Sequence, residues 1–176
     1  MKAHLATENY LKCSGLTYTI LRNGVYAESW QRYTGDLSEG VIELPADGPI
    51  AWVSRDDLAA GIARLLANGS SKGQTLTLTG SAALNVAAVV EIASRILEVP
   101  MVREIVSLDD FIVDRIAAGR SEITARQWAT TYFAMERGEF ARVDSFLQRL
   151  LGRQLRSFEE VFTPMLARAA VKQTST

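Results

Sequence analysis

Residues 16–24 read LTYTILRNG, and the fold turns on what this stretch is. Leu16–Leu21 is a short run of β-branched and aromatic residues, which reads as a strand buried on both sides, as in a parallel sheet. In front of it, residues 3–13 carry a helical pattern in which Leu5, Tyr10 and Leu11 share a face, and Gly15 is a natural stop. Behind it, Asn23-Gly24 is a dipeptide suited to positive φ and breaks the strand. A helix, a buried strand and a turn in this order belong to the middle of an α/β fold, yet here they open the chain.

Working outward, residues 25–40 read as loop, with Tyr26, Trp30 and Tyr33 in it. Val41–Leu44 and Ile50–Val53 are apolar runs around Ala46-Asp47-Gly48-Pro49, a pattern expected of a hairpin or of two strands joined by a tight turn. Ser54 caps a helix, with Asp57 in near capping-box position and a stripe of Leu58, Ile62, Leu65 and Leu66. Thr75–Thr79 is an alternating strand with Leu76 and Leu78 on one side, closed by Gly80. Asn85 caps a helix striped by Val86, Val89, Val90, Ala93, Ile96 and Leu97, which Pro100 stops; Met101–Val106 is a further strand.

From Ser107 onward only helices are expected. The first carries Phe111 and Ile112, the second runs through 123–135, and the third ends at Gly152. The last is opened by the Ser157/Glu160 capping box. Strands alternate with helices and a helical cluster follows. The organisation expected is an α/β segment over 1–106, a helical lobe over 107–170 and a frayed tail over 171–176.

With 176 residues, of which 48% are hydrophobic, the chain has the make-up of an ordinary globular domain. Such a chain buries roughly two-thirds or more of its unfolded surface. Its 19 basic and 20 acidic side chains leave a net charge of −1, with no basic tract, so nucleic acid is not an expected partner. Cys13 is the one cysteine and His4 the one histidine, which excludes an internal disulfide framework and leaves no metal-ligand spacing. A reducing, cytoplasmic setting fits. No apolar run approaches the roughly 18 residues of a membrane span.

Five segments then carry a resemblance: HLATENYLKCSGLTYTILRNGVYAES (4–29), SRDDLAAGIARLL (54–66), GQTLTLTG (73–80), GEFARV (138–143) and LLGRQLRSFEEVF (150–162). In this order they resemble the NmrA-like branch of the atypical short-chain dehydrogenases/reductases, and most of all its NAD(P)H:quinone oxidoreductase type. The resemblance implies a Rossmann-like parallel sheet followed by a helical lobe. It also implies that these segments are the C-terminal half of such a protein. The first half of the family carries the glycine-rich turn that seats the pyrophosphate on a helix N-terminus. The glycines of this chain are scattered and no such cluster lies between a strand and a helix. The expectation is a truncated NmrA-like NAD(P)H-dependent oxidoreductase, a quinone, carbonyl or enone reductase lacking its cofactor half.

By that resemblance His4 occupies the place facing nicotinamide and substrate, where an imidazole shuttles a proton; the rival reading is a polar helix-end residue. The Tyr-x-x-x-Lys of standard short-chain dehydrogenases is absent. Glu8 is expected to hold a neighbouring loop or arginine. Arg22, Asn23 and Gly24 follow a buried strand at its carboxyl end, where ligands of open α/β sheets lie, and the resemblance sets them beside the cofactor; Asn23-Gly24 equally makes a turn. Tyr26 and Trp30 resemble the pocket wall for a flat, quinone-like substrate and read at least equally as core or interface aromatics; Trp128, Tyr132 and Phe133 sit at spacing suited to lining a cleft but are more often core. Asp57 reads as helix N-terminal chemistry and Arg153 as an anchor.

The cofactor implied is NADP or NAD, bound weakly or not at all by these residues alone, and the choice between them is not readable. A strand stripped of its neighbour exposes an edge, so a homo-oligomer or a hetero-complex is expected beside a small-molecule substrate. Two further readings stand beside the oxidoreductase: a cofactor-independent isomerase or cyclase, and a redox-sensing regulatory binding protein without catalysis.

Overall fold

The computed structural model describes residues 2–35, 37, 40–69 and 72–173. In chain order the elements are α1 (Lys2–Cys13), β1 (Thr19–Asn23), a 3-10 turn (Ala27–Ser29), α2 (Gln31–Thr34), β2 (Val41–Leu44), α3 (Arg55–Asn68) and β3 (Gln74–Leu78). They continue as α4 (Val86–Leu97), β4 (Val102–Ile105), α5 (Leu108–Ala117), α6 (Glu122–Glu136), α7 (Phe146–Leu151) and α8 (Phe158–Gln173). The expected tail over 171–176 begins inside α8, and 174–176 lie outside the described residues.

The sheet is parallel, as expected, but arrives as two pairs. β1 pairs with β3, Thr19 opposite Gln74 through Asn23 opposite Leu78, and β2 pairs with β4, Val41 opposite Val102 through Leu44 opposite Ile105. The strand expected at Leu16–Leu21 is displaced toward the C-terminus, and Leu16 is 66% exposed. Burial on both sides is not found either: Ile20 is buried and Leu21 half-buried, while Thr19, Arg22 and Asn23 are exposed. The reason is pairing. Among the described residues β1 has a strand neighbour on one edge only.

Gly24 does not take the positive φ expected of it. It extends the β1 pairing by donating its N–H to the Leu78 carbonyl at 2.7 Å. A Cβ here would stand 3.1 Å from the Ala51 carbonyl oxygen, so glycine answers a close backbone approach rather than a turn.

The hairpin expected over 41–53 is also absent. β2 turns to β4, and 50–53 pair elsewhere: Ile50 exchanges hydrogen bonds with Leu84, and Val53 lies between Val25 and Ala27. Every residue of Ile50–Val53 is buried. A fully buried connection must satisfy each of its amides: the carbonyls of Leu84, Phe140 and Val25 take those of Ile50, Ala51 and Val53, and the Ile50 carbonyl takes that of Trp52. At Gly48 the turn presses on the Met135 backbone and leaves no room for a Cβ.

Helix starts follow the sequence. Ser54 accepts from the amides of Asp56 and Asp57, Asn85 from that of Ala88, and Ser157 and Glu160 close a reciprocal box. Asp47 adds a second cap to α4, taking the Val86 and Ala87 amides at 2.9 and 3.1 Å.

The large core gathers Trp30, Ile42, Leu44 and Trp52 with the α4 stripe, Phe111, Met135 and Phe162. A smaller one joins Val53, Leu58 and Leu78 to Leu147, Leu151 and Leu155 beneath α7. In α3, Leu58 and Leu65 are buried as expected, but Leu66 is 79% exposed. The α3 surface that meets α7 is centred on Gly61, into which the Leu147 side chain fits. No helix among the described residues is long and apolar enough to cross a membrane.

Candidate functional site

The carboxyl end of β1 gathers most of the polar residues picked out from the sequence. Arg22 reaches back to α1 and donates Nε to Glu8 Oε1 at 2.8 Å and Nη2 to Glu8 Oε2 at 2.6 Å, a bidentate fork. Lys12 stands 3.6 Å from the same carboxylate. The hydrogen bond from Arg22, with its charge, holds the Glu8 carboxyl below the ordinary glutamate range, and Glu8 in turn raises the guanidinium. His4 is exposed and lies one helical turn before Glu8 on the same face of α1.

Asn23 donates Nδ2 to the Tyr26 hydroxyl at 3.5 Å, the outer limit of a hydrogen bond. Tyr26 is half-buried, and the Arg55 guanidinium lies over its ring at 5.2 Å. Arg55 is oriented from the same turn: its N–H meets Glu28 Oε1 at 2.9 Å and its Nη2 meets Ser29 Oγ at 3.4 Å. Glu28 Oε2 is buried with no hydrogen-bond partner. Arg55 and Glu28 were not singled out from the sequence. NGVYAES and SRDD both lie in the resembling segments, and the Tyr26–Val53 bridge together with the Arg55 contacts shows that they meet in the fold.

The remaining aromatic candidates lie elsewhere. Trp30 is 3% exposed and meets the Phe162 ring edge-on at 4.8 Å. Tyr132 is 5% exposed, donates its hydroxyl to the Tyr33 carbonyl at 3.2 Å and packs on Phe111. Burial pushes its phenol up to about 12, so it stays protonated in neutral solution. Trp128 is on the outer side of α6, 39% exposed, under the Arg120 guanidinium.

Asp57 is fully buried and does more than serve its helix. It accepts from Arg153 Nη2 at 2.6 Å and from the Arg156 amide at 2.8 Å, tying α3 to the α7–α8 connection, the anchor role expected of Arg153. An apolar groove of about 220 Å³ runs along the flank of β1 and α3, lined by Thr19, Leu21, Ile62, Leu65, Leu66 and Lys72 among others. Among the described residues no group of three or more His, Cys, Asp and Glu is placed to hold a metal ion.

For a dinucleotide the residues fit one end. Arg22 keeps its Nη1 edge outside the Glu8 fork, and Asn23 offers an amide, both at the strand's carboxyl end. Among the described residues, the starts of α3 and α4 offer the pyrophosphate no comparable seat. The first amides of α3 are taken by Glu28 and Ser54, and those of α4 by Asp47 and Asn85.

Known proteins resemble the chain over part of their own length. No family model matches the chain. An NmrA-like family domain-containing oxidoreductase of Aspergillus flavus is 30% identical over 178 residues, covering 98% of this chain and 54% of that protein. Quinone oxidoreductase 2 of Escherichia coli K12 is 39% identical over 82 residues, 46% of this chain and 29% of that protein. The structure of an NADPH-dependent quinone oxidoreductase from Escherichia coli, complexed with NADPH, superposes with a TM-score of 0.83 at 26% identity, over 92% of this chain and 58% of that one. The chain is thus similar to NmrA-like oxidoreductases and takes a Rossmann-like α/β fold, and it spans about half the length of the Aspergillus protein, whose match covers 98% of this chain.

Proposed function

We propose that these residues form the substrate-side half of an NAD(P)H-dependent oxidoreductase that reduces a quinone or a related conjugated carbonyl. The observation that carries the reading is the cluster at the carboxyl end of β1: the Glu8–Arg22 fork with His4 a turn away, and Asn23, Tyr26 and Arg55 beside it. Tyr26 offers an aromatic plate stiffened by Arg55, and stacking on such a plate contributes about 1 kcal/mol to holding a flat acceptor. Arg22 and Asn23 orient the nicotinamide end, with Gly24 keeping the backbone close. His4 holds and returns a proton at its imidazole. Bound NAD(P)H supplies the hydride. Trp30 and Tyr132 support the lobe from within, and Trp128 meets substrate only where a second surface faces α6.

The dinucleotide phosphates need a complementary α/β half, in the same polypeptide or another, docked on the open edge of β1 and the groove beside it. A parallel strand pair with one bare edge is rare outside a larger covered sheet. The same reading allows a homo-oligomer as the cover and sets the protein in a reducing cytoplasm.

The test follows tryptophan emission while NADPH is added to the 176-residue chain. Weak or absent saturation is expected for the chain alone. Saturable binding, with quinone-dependent NADPH oxidation lost in Tyr26→Ala, is expected once the chain is complemented by the nucleotide-binding portion of the Escherichia coli relative. Tight binding by the chain alone would move the phosphate seat back into these residues. A complemented protein that neither binds NADPH nor reduces quinone would end the reading.

A further inference from the structure

We infer that the Glu8–Arg22 ion pair is a clasp that positions His4, by holding α1 against the carboxyl end of β1. The inference rests on the proposed role of His4 only for its functional meaning; the clasp itself stands on geometry.

Burial does not hold α1. From Ala3 to Cys13 every side chain is exposed except those of Glu8 and Leu11, which are half-buried. Leu5 is 56% and Tyr10 76% exposed. A helix of 12 residues is marginal in water by itself. Its firmest attachment to the sheet is the Arg22 fork, made across 14 positions of sequence, with both donor distances short. The Glu8 side chain is 12% exposed, the least of the charged groups at this end, while that of Arg22 is 52% exposed.

The groups that bear on Glu8 are few. Arg22 faces it from β1, Lys12 follows at i+4, and His4 precedes it at i−4. His4, Glu8 and Lys12 therefore form one row along α1, and the middle member carries the fork. An exposed ion pair is usually a minor contributor. Here the helix has little else, so the pair decides where its row points. Truncating the row's centre frees the histidine without touching it, which makes Glu8 a positioning residue rather than a catalytic one.

Because His4 is the one histidine, its Hε1 proton gives an unambiguously assigned NMR resonance in protein made without a histidine tag. The experiment compares the parent chain with Glu8→Gln, Arg22→Glu and the exchanged pair Glu8→Arg/Arg22→Glu. In both single variants, α1 amide exchange is expected to quicken about threefold or more, and the His4 resonance to move toward its unstructured position. β3 and α4 should keep their protection. The exchanged pair is expected to restore both signals.

Unchanged α1 protection and an unchanged His4 resonance in Glu8→Gln would overturn the clasp, as would failure of the exchanged pair to restore them. A separate arm measures quinone-dependent NADPH oxidation of the complemented protein with His4→Asn. If the clasp signals behave as expected while His4→Asn keeps full turnover, the proton role fails and the clasp survives.

Discussion

The two flanks of this molecule are built on different terms. Around α4, α6 and α8 the chain closes on itself: Val86, Val89, Ala93, Met135 and Phe162 have no exposed surface, and Trp30, Trp52, Phe158 and Phe162 interlock ring against ring. Around α1 and β1 the chain is held by charge. Leu5, Tyr10, Leu16 and Leu66 face solvent, and an apolar groove lies beside the strand. Leucine inside one flank and leucine outside the other are the same residue type under different geometry. The polar candidates for function sit on the second flank, where large apolar side chains face solvent.

The contrast can be broken most forcefully at its closed side. Phe162→Ala removes a ring that contacts both Trp30 and Phe158, and urea unfolding should show a loss of about 3–5 kcal/mol. A loss near zero would mean that this core is looser than its burial implies. Next in size, Asp57→Ala leaves the Arg156 amide without its acceptor and the Arg153 guanidinium without its partner. About 2 kcal/mol should disappear in the same assay, with proteolysis beginning between α7 and α8.

The open side should respond differently. Leu66→Lys, on the exposed rim of the groove, should leave unfolding unchanged within about 0.5 kcal/mol. It should lower self-association in light scattering or capture by the complementary half. A variant that unfolds instead would show that the groove belongs to the interior.

The smallest effect concerns acid. Backbone and side-chain hydrogen bonds with Ser157 hold Glu160 below the ordinary value of 4.5. A carboxyl lowered on folding contributes stability above its unfolded value, and that contribution fades as pH falls through the lower folded value. Glu160→Gln should therefore lower the neutral plateau slightly and leave the strongly acidic end unchanged, which flattens the acid limb below about pH 4.5.

How much of this was legible depends on the range of the interaction. Caps at Asn85 and Ser157 use partners three residues away, and their signatures were readable. The β1 boundary was misplaced because its register is fixed by β3, more than fifty residues on, and by the Gly24–Leu78 bond. The supposed hairpin failed for the same reason, since Ile50 finds Leu84 rather than β2. In the site, Arg22 and its acidic partner were recognisable because one family-like segment contains both. Arg55 over Tyr26 was not, because nothing local brings those positions together. Trp30 reads as pocket or core alike and Tyr132 more often as core, and burial shows both inside.

The interleaving of the strands has a consequence in time. β2 lies in sequence between β1 and β3, and β3 between β2 and β4. Neither pair can zip from a contiguous hairpin, so each must wait for a long loop to close before any ladder bond forms. During synthesis, a nascent chain that has emerged only through α3 holds two strands with no mate, and that interval is when a chaperone or a wrong edge can reach them.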